Sequence, residues 1–206
     1  MRPDIAIGRP HLFGDEQRVL DEALSAARCY LEFGAGGSTL QAATQGVPRI
    51  VSVDSDPQWI AAIVAHPEIA ARVQDGSMSV LHADIGPVGN WGHPADETLK
   101  HRWPTYLATA WAECQRRSMM PDLVLVDGRF RVASCLSVVL AVGLAALAGP
   151  TVLLHDVFAD RPHYLEVLNF FEVTGITGSL YRLRIRPDAS PRAALLRLLE
   201  CQFDPR

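Results

Sequence analysis

The chain lacks a basic excess. Its 206 residues carry 19 Lys and Arg against 23 Asp and Glu, a formal net charge of −4. That is the wrong sign for a surface that coats nucleic acid, so no nucleic-acid partner is expected. Cysteine is also scarce: only Cys29, Cys114, Cys135 and Cys201 are present. They form no C-x-x-C and no paired metal-ligand spacing, so they read as reduced thiols of a cytoplasmic chain. The N-terminal stretch Met1-Arg2-Pro3-Asp4 opens no apolar h-region, so a signal peptide is not expected. No internal repeat, low-complexity segment or linker breaks the sequence, which predicts one domain over residues 1–206.

One run does lack charge. Residues 132–154 carry none, a length that could span a bilayer. Gly143 and Gly149-Pro150 interrupt it, Asp127, Arg129 and Arg131 precede it, and His155-Asp156 follows. A buried helix, a Gly-Pro turn and a buried parallel strand fit better, so no membrane partner is expected.

The rest of the chain alternates short apolar runs with helical periodicities. Strands are expected at 29–33, 49–53, 77–82, 123–126 and 151–154, with two further β-like runs at 171–177 and 180–186. Helices are expected at 15–27, 38–45, 57–66, 104–117, 132–147 and 162–171, and a leucine-rich amphipathic helix at about 191–200. Asp56-Pro57 is a strong helix start. This alternation predicts an α/β fold, a doubly wound, mostly parallel sheet with helices on both faces and an antiparallel C-terminal strand. Residues 85–103 are irregular and rich in Gly and Pro. They form a lid-like loop, with Trp91, His93 and Trp103 as candidates to cover a substrate. Arg182, Arg184 and Arg186 share one strand face, either as a solvated sheet edge or as an anion or oligomer contact. An exposed apolar face on the tail helix would favour a homodimer.

In such sheets ligands bind at the C-terminal strand ends. There the sequence offers Gly34-Ala35-Gly36-Gly37-Ser38, then Asp54-Ser55, Asp84-Ile85, Asp127-Gly128-Arg129 and His155-Asp156. A glycine turn between a strand and a helix lets the backbone approach a ligand and leaves helix N–H groups free beside it. Asp54 follows Gly34 by twenty residues, the spacing at which an acid ending the second strand accepts hydrogen bonds from ribose hydroxyls. Asp84 could accept from an exocyclic amine.

These motifs resemble the class I S-adenosylmethionine-dependent methyltransferases, which have a Rossmann-like fold. The resemblance rests on Glu32-Phe33-Gly34-Ala35-Gly36-Gly37-Ser38, Val53-Asp54, Ala83-Asp84 and Leu125-Val126-Asp127-Gly128. It implies that Gly34 and Gly36 pass the methionine part of S-adenosylmethionine and that Glu32 lies beneath the turn. Asp54 would hold the ribose, and Asp84 and the Ile85 backbone would meet the adenine. Ala35, Gly37, Ser38, Ser55 and Asp127 complete the implied cofactor contacts. It further implies methyl transfer to a small molecule, with O-methylation expected. Asp127, Arg129, His155 and Asp156 are then the catalytic candidates, with His155 or Asp156 as base and Arg129 on an anionic substrate group. Arg129 could instead pair with Asp127 or Asp156. Some small-molecule O-methyltransferases bind Mg²⁺ at such acidic positions; here the pair is His155-Asp156 rather than Asp-Asp. An NAD(P)-binding oxidoreductase would want a third glycine where Thr39 stands. A third alternative is a non-catalytic methyltransferase-like binding protein.

Overall fold

Uninterrupted runs of Val, Leu and Ile build the centre of the molecule, as strands buried on both faces require. The computed structural model describes residues 6–145 and 149–206. Its strands are β1 (Cys29–Phe33), β2 (Arg49–Asp54), β3 (Met78–His82), β4 (Leu123–Val126), β5 (Thr151–Leu154), β6 (Phe171–Thr177) and β7 (Leu180–Ile185). They form one sheet in the order β3-β2-β1-β4-β5-β7-β6. β1 to β5 run parallel, and β7 runs antiparallel between β5 and β6. The expected fold class is therefore the observed one.

Four helices cover one face: α1 (Asp15–Ala26), α2 (Gly37–Thr44), α3 (Pro57–Ala65) and α4 (Pro67–Gln74). Leu20, Leu24, Ala42, Ile63 and Ile69 from these helices pack with Tyr30, Ile50 and Leu125 from the strands. The other face carries α5 (Thr105–Arg116), α6 (Arg131–Ala145) and α7 (Pro191–Cys201). There Leu31, Phe33, Val51 and Val53 pack with Tyr106, Ala110, Leu136, Val139 and Ala194. The period-two alternation of β1 thus sends Tyr30 to one core and Leu31 to the other.

Register aligns the strand ends. Phe33 pairs with both Val53 and Val126, and Val126 pairs with Leu154. The loops after β1, β2, β4 and β5 therefore open together on one edge. α3 starts where expected, with Asp56 Oδ1 accepting from the N–H groups of Gln58 (2.9 Å) and Trp59 (3.2 Å).

Several expectations need correction. Pro67 does not only end a helix; it is the first residue of α4, where its missing N–H costs nothing. Residues 162–169 wind as a 3₁₀ rather than an α-helix. The Arg182/Arg184/Arg186 stripe is not a sheet edge, because β7 is flanked by β5 and β6, and Arg184 pairs with Glu172 across the hairpin. The end of the helix expected at 132–147 lies partly outside the described residues. Among the described residues no helix is long and apolar enough to cross a membrane, and all four cysteines are free.

Candidate functional site

Two glycines bring the ends of β1 and β4 into backbone contact. Gly34 has φ +106°, a region that favours glycine. A Cβ on Gly128 would stand 2.7 Å from the Cα of Gly34 and would also strike the Tyr106 hydroxyl. The N–H groups of Asp127 and Gly128 donate to the Phe33 carbonyl at 2.9 and 2.7 Å. Gly128→Ala should therefore lower stability by about 1–3 kcal/mol. A denaturant midpoint equal to the parent's would show that the strand ends do not need this contact.

Glu32 lies under the glycine turn, fully buried. It accepts from the hydroxyls of Ser38, Ser52 and Thr39, the last at 2.5 Å. Burial pushes its pKa up to about 7 against the pull of these three donors. The start of α2 is less open than the glycine pattern suggests. The Gly36 N–H donates to Thr39 Oγ1 at 2.8 Å, and Trp59 Nε1 donates to the Ala35 carbonyl at 2.6 Å. Gly37 lies against residues 8–10, so close that a Cβ would meet the Gly8 carbonyl at 2.6 Å. The chain itself covers this helix end, a role for the N-terminal segment that nothing in its composition announces.

Asp54 ends β2 beside the turn. Its Oδ1 accepts from the Asp56 N–H at 2.9 Å. Among the described residues no cation forms an ion pair with it. Burial raises its pKa to about 6, opposed by the N–H groups of Asp56 and Ser55. Ser55 is buried and donates to the Gly92 carbonyl at 2.9 Å, so the loop 85–103 folds back over this strand end. Asp84 is exposed, accepts from the Gly86 N–H at 3.0 Å and pairs with Arg102 at 2.8 Å. Ile85 is buried. A cleft of about 420 Å³ opens between these loops, lined by Asp56, Gln58, His82, Asp84, Gly86 and Val88. Its size suits a small ligand. Two of the loop's aromatics part company. Trp91 is 78% exposed and meets His11 edge-on at 5.8 Å. Trp103 is not a lid residue: it is buried against Phe130 at 5.9 Å.

The ends of β4 and β5 meet in a network of charges. His155 Nδ1 lies 2.8 Å from Asp127 Oδ1 and its Nε2 lies 3.3 Å from Glu16 Oε2. Arg131 is 2% exposed and reaches Asp156 Oδ2 at 3.0 Å and Asp127 Oδ1 at 3.3 Å. Arg161 holds Asp156 from the other side at 2.7 Å. Glu16 also accepts from the N–H groups of Phe13 and Ser179. The structure brings Asp127, His155 and Asp156 together, as expected, but the paired arginine is Arg131 and not Arg129. Arg131 stands four residues after Asp127 on the first turn of α6, a spacing that could have marked it. Glu16 is 139 residues from its histidine and gave no local signal.

His155 faces a carboxylate from each ring nitrogen. Burial opposes the charge, but the Asp127 hydrogen bond and the carboxylates of Asp127, Asp156 and Glu16 outweigh it and hold its pKa above the usual value. Asp156 is held low: burial is overcome by Arg131, His155 and Arg161. With both ring nitrogens turned to carboxylates, His155 is poorly placed to serve as a base. Its raised pKa gives stability that is present below its unfolded value and lost as pH rises through the folded one. Urea midpoints measured from about pH 6 to pH 9 should fall for the parent and stay flatter for His155→Gln. Parallel profiles would rule out an imidazolium here.

Asp127, His155 and Asp156 offer ligand atoms within 4.8 Å of one another. They do not fit a divalent cation. Arg131 and Arg161 already pair with the two carboxylates, and the other ring nitrogen of His155 is turned to Glu16.

No family model matches the chain, and no curated protein sequence matches it. Among solved structures, the chain is similar to a methyltransferase-like protein from Silicibacter pomeroyi DSS-3, with 27% identity and a TM-score of 0.70 over 96% of this chain and 99% of that one. Cofactor-bound Rv0187 from MTB shares 16% identity at a TM-score of 0.44 over 94% of this chain and 70% of that one, a likeness that carries no argument. From the first of these, over nearly the full length of both chains, the fold is methyltransferase-like.

Proposed function

We propose that the protein is an S-adenosylmethionine-dependent methyltransferase acting on a small molecule, with oxygen as the methylated atom. The observation that carries this reading is Asp54. It is a half-buried carboxylate, hydrogen-bonded by the backbone of its own turn and lacking an ion-pair partner among the described residues, at the end of the strand next to the glycine turn. A ribose diol supplies the two donors such a carboxylate lacks. The neighbouring cleft between Asp84 and Gln58 is the place for the base.

The bound cofactor supplies an electrophilic methyl group on a sulfonium. The chain's own task is alignment and water exclusion, for which the loop 85–103 over Ser55 is positioned. Asp127 is the most suitable proton acceptor. Its carboxylate is 26% exposed and meets His155 and Arg131 through Oδ1; Asp156, 24% exposed, carries two arginines, Arg131 and Arg161.

Titration calorimetry of the full chain with S-adenosylhomocysteine and with NAD tests the reading. Binding of S-adenosylhomocysteine is expected. A response to NAD alone would favour a dinucleotide enzyme, and a response to neither would favour a non-catalytic relative. A small-molecule acceptor also fits the acidic net charge.

A further inference from the structure

Arg129 is the charged group that the network beside it leaves out. Its backbone N–H donates to the Tyr106 hydroxyl at 3.4 Å. Its Nε is shut off from solvent and has no hydrogen-bond partner among the described residues. No carboxylate among them lies within ion-pair distance of its guanidinium. Arg131 shows the contrast. Two positions along the same turn, it bonds the carbonyls of Gly128 (3.0 Å) and Asp127 (2.8 Å) and the Asp156 carboxylate.

A half-buried guanidinium with no counter-charge is costly and calls for an explanation. Burial and repulsion from Arg131 both weaken its hold on its proton; Asp54 favours the charge but forms no ion pair with it. The surroundings are aromatic. Phe130, the next residue, lies 5.4 Å from the Tyr106 ring and 5.9 Å from the Trp103 ring. Trp103 is 3% exposed, and its indole N–H also lacks an acceptor among the described residues. The Arg129 donor, at the end of β4 beside the Tyr106 hydroxyl, lacks an acceptor among the described residues. A guanidinium fork matches a carboxylate in shape and charge.

We propose that Arg129 is the seat of a ligand carboxylate. This rests on the methyltransferase reading for where the ligand lies, and it narrows the chemistry of what is bound. Two carboxylates meet such a site: that of the cofactor's methionine end and that of a carboxylic-acid acceptor.

The test uses the full-length chain, Arg129→Gln and Arg129→Lys, with two pairs of probes in calorimetry. S-adenosylhomocysteine is compared with 5′-methylthioadenosine, which lacks the amino-acid tail. Benzoate is compared with its neutral counterpart benzamide. Arg129→Gln should lose about 10-fold or more for one carboxylate probe and nothing for its partner, with Arg129→Lys in between and urea midpoints at or above the parent's. A loss confined to S-adenosylhomocysteine assigns the seat to the cofactor, and a loss confined to benzoate assigns it to the acceptor. If the parent ignores both adenosyl compounds yet binds benzoate through Arg129, the methyltransferase reading falls and the seat stands. Equal affinities of parent and Arg129→Gln for both carboxylates, or no carboxylate binding by the parent, overturn the proposal.

Discussion

Arg131→Met should destabilise the protein by about 3–5 kcal/mol, the usual cost of removing one partner from a buried ion pair. The side chain is 2% exposed. Its guanidinium bonds the carbonyls of Gly128, Asp127 and His155 and the carboxylate of Asp156. Methionine fills much of the volume but leaves those acceptors without donors. It also leaves Asp127 and Asp156 with less positive charge nearby. Arg131→Lys should recover only part of the loss, because an ammonium cannot reach four acceptors in a planar fork. Urea denaturation near neutral pH measures both. A loss below about 1 kcal/mol for Arg131→Met would mean that the ends of β4 and β5 are held by the sheet alone.

Asp54→Ala should cost the fold little and act most strongly on binding. Two ribose hydroxyls donating to a carboxylate contribute about 1.5–3 kcal/mol each, so affinity for S-adenosylhomocysteine should fall about 100-fold or more. The fold should not suffer comparably. Burial raises the Asp54 pKa to about 6, a sign that the folded state penalises this charge, and the hydrogen bonds its carboxylate accepts come from backbone N–H groups of its own turn. The same shift gives a pH signature. Ribose donors favour the ionised form, so the parent's affinity should weaken as pH falls through about 6, and Asp54→Ala should lose that dependence. Unchanged affinity in Asp54→Ala would remove the carboxylate from the ligand site.

The parts of this molecule legible in the sequence are those written by local pattern. β1, β2, β4 and β5 show as apolar runs because strands buried on both faces need nothing else. Asp54 shows because a parallel β-α-β unit fixes its distance from Gly34. Glu32 was expected beneath the turn, and three hydroxyls hold it there. What stayed hidden depends on long-range contact. Glu16 reaches His155 from α1, and no spacing rule connects helix one to strand five. Arg131 reads as an ordinary start of α6 until its partners are in place. Trp103 sits in a Gly- and Pro-rich stretch that looks like surface, yet the chain returns there to the core wall of Phe130 and Tyr106. The stripe of Arg182 and Arg184 was legible as a face but not as an interior strand, because β6 comes earlier in the chain and still lies outside β7.

That inverted order of β6 and β7 sets a schedule for the growing polypeptide. β5 acquires its second neighbour only when Leu180–Ile185 has left the ribosome, since Val152, Leu153 and Leu154 pair with Leu183, Arg182 and Tyr181. Until then an apolar strand edge is open to any other nascent chain. β6 emerges first but waits for β7, the strand with which it pairs. A translational pause between residues 155 and 180 would therefore lengthen the interval in which the half-made sheet is open to aggregation.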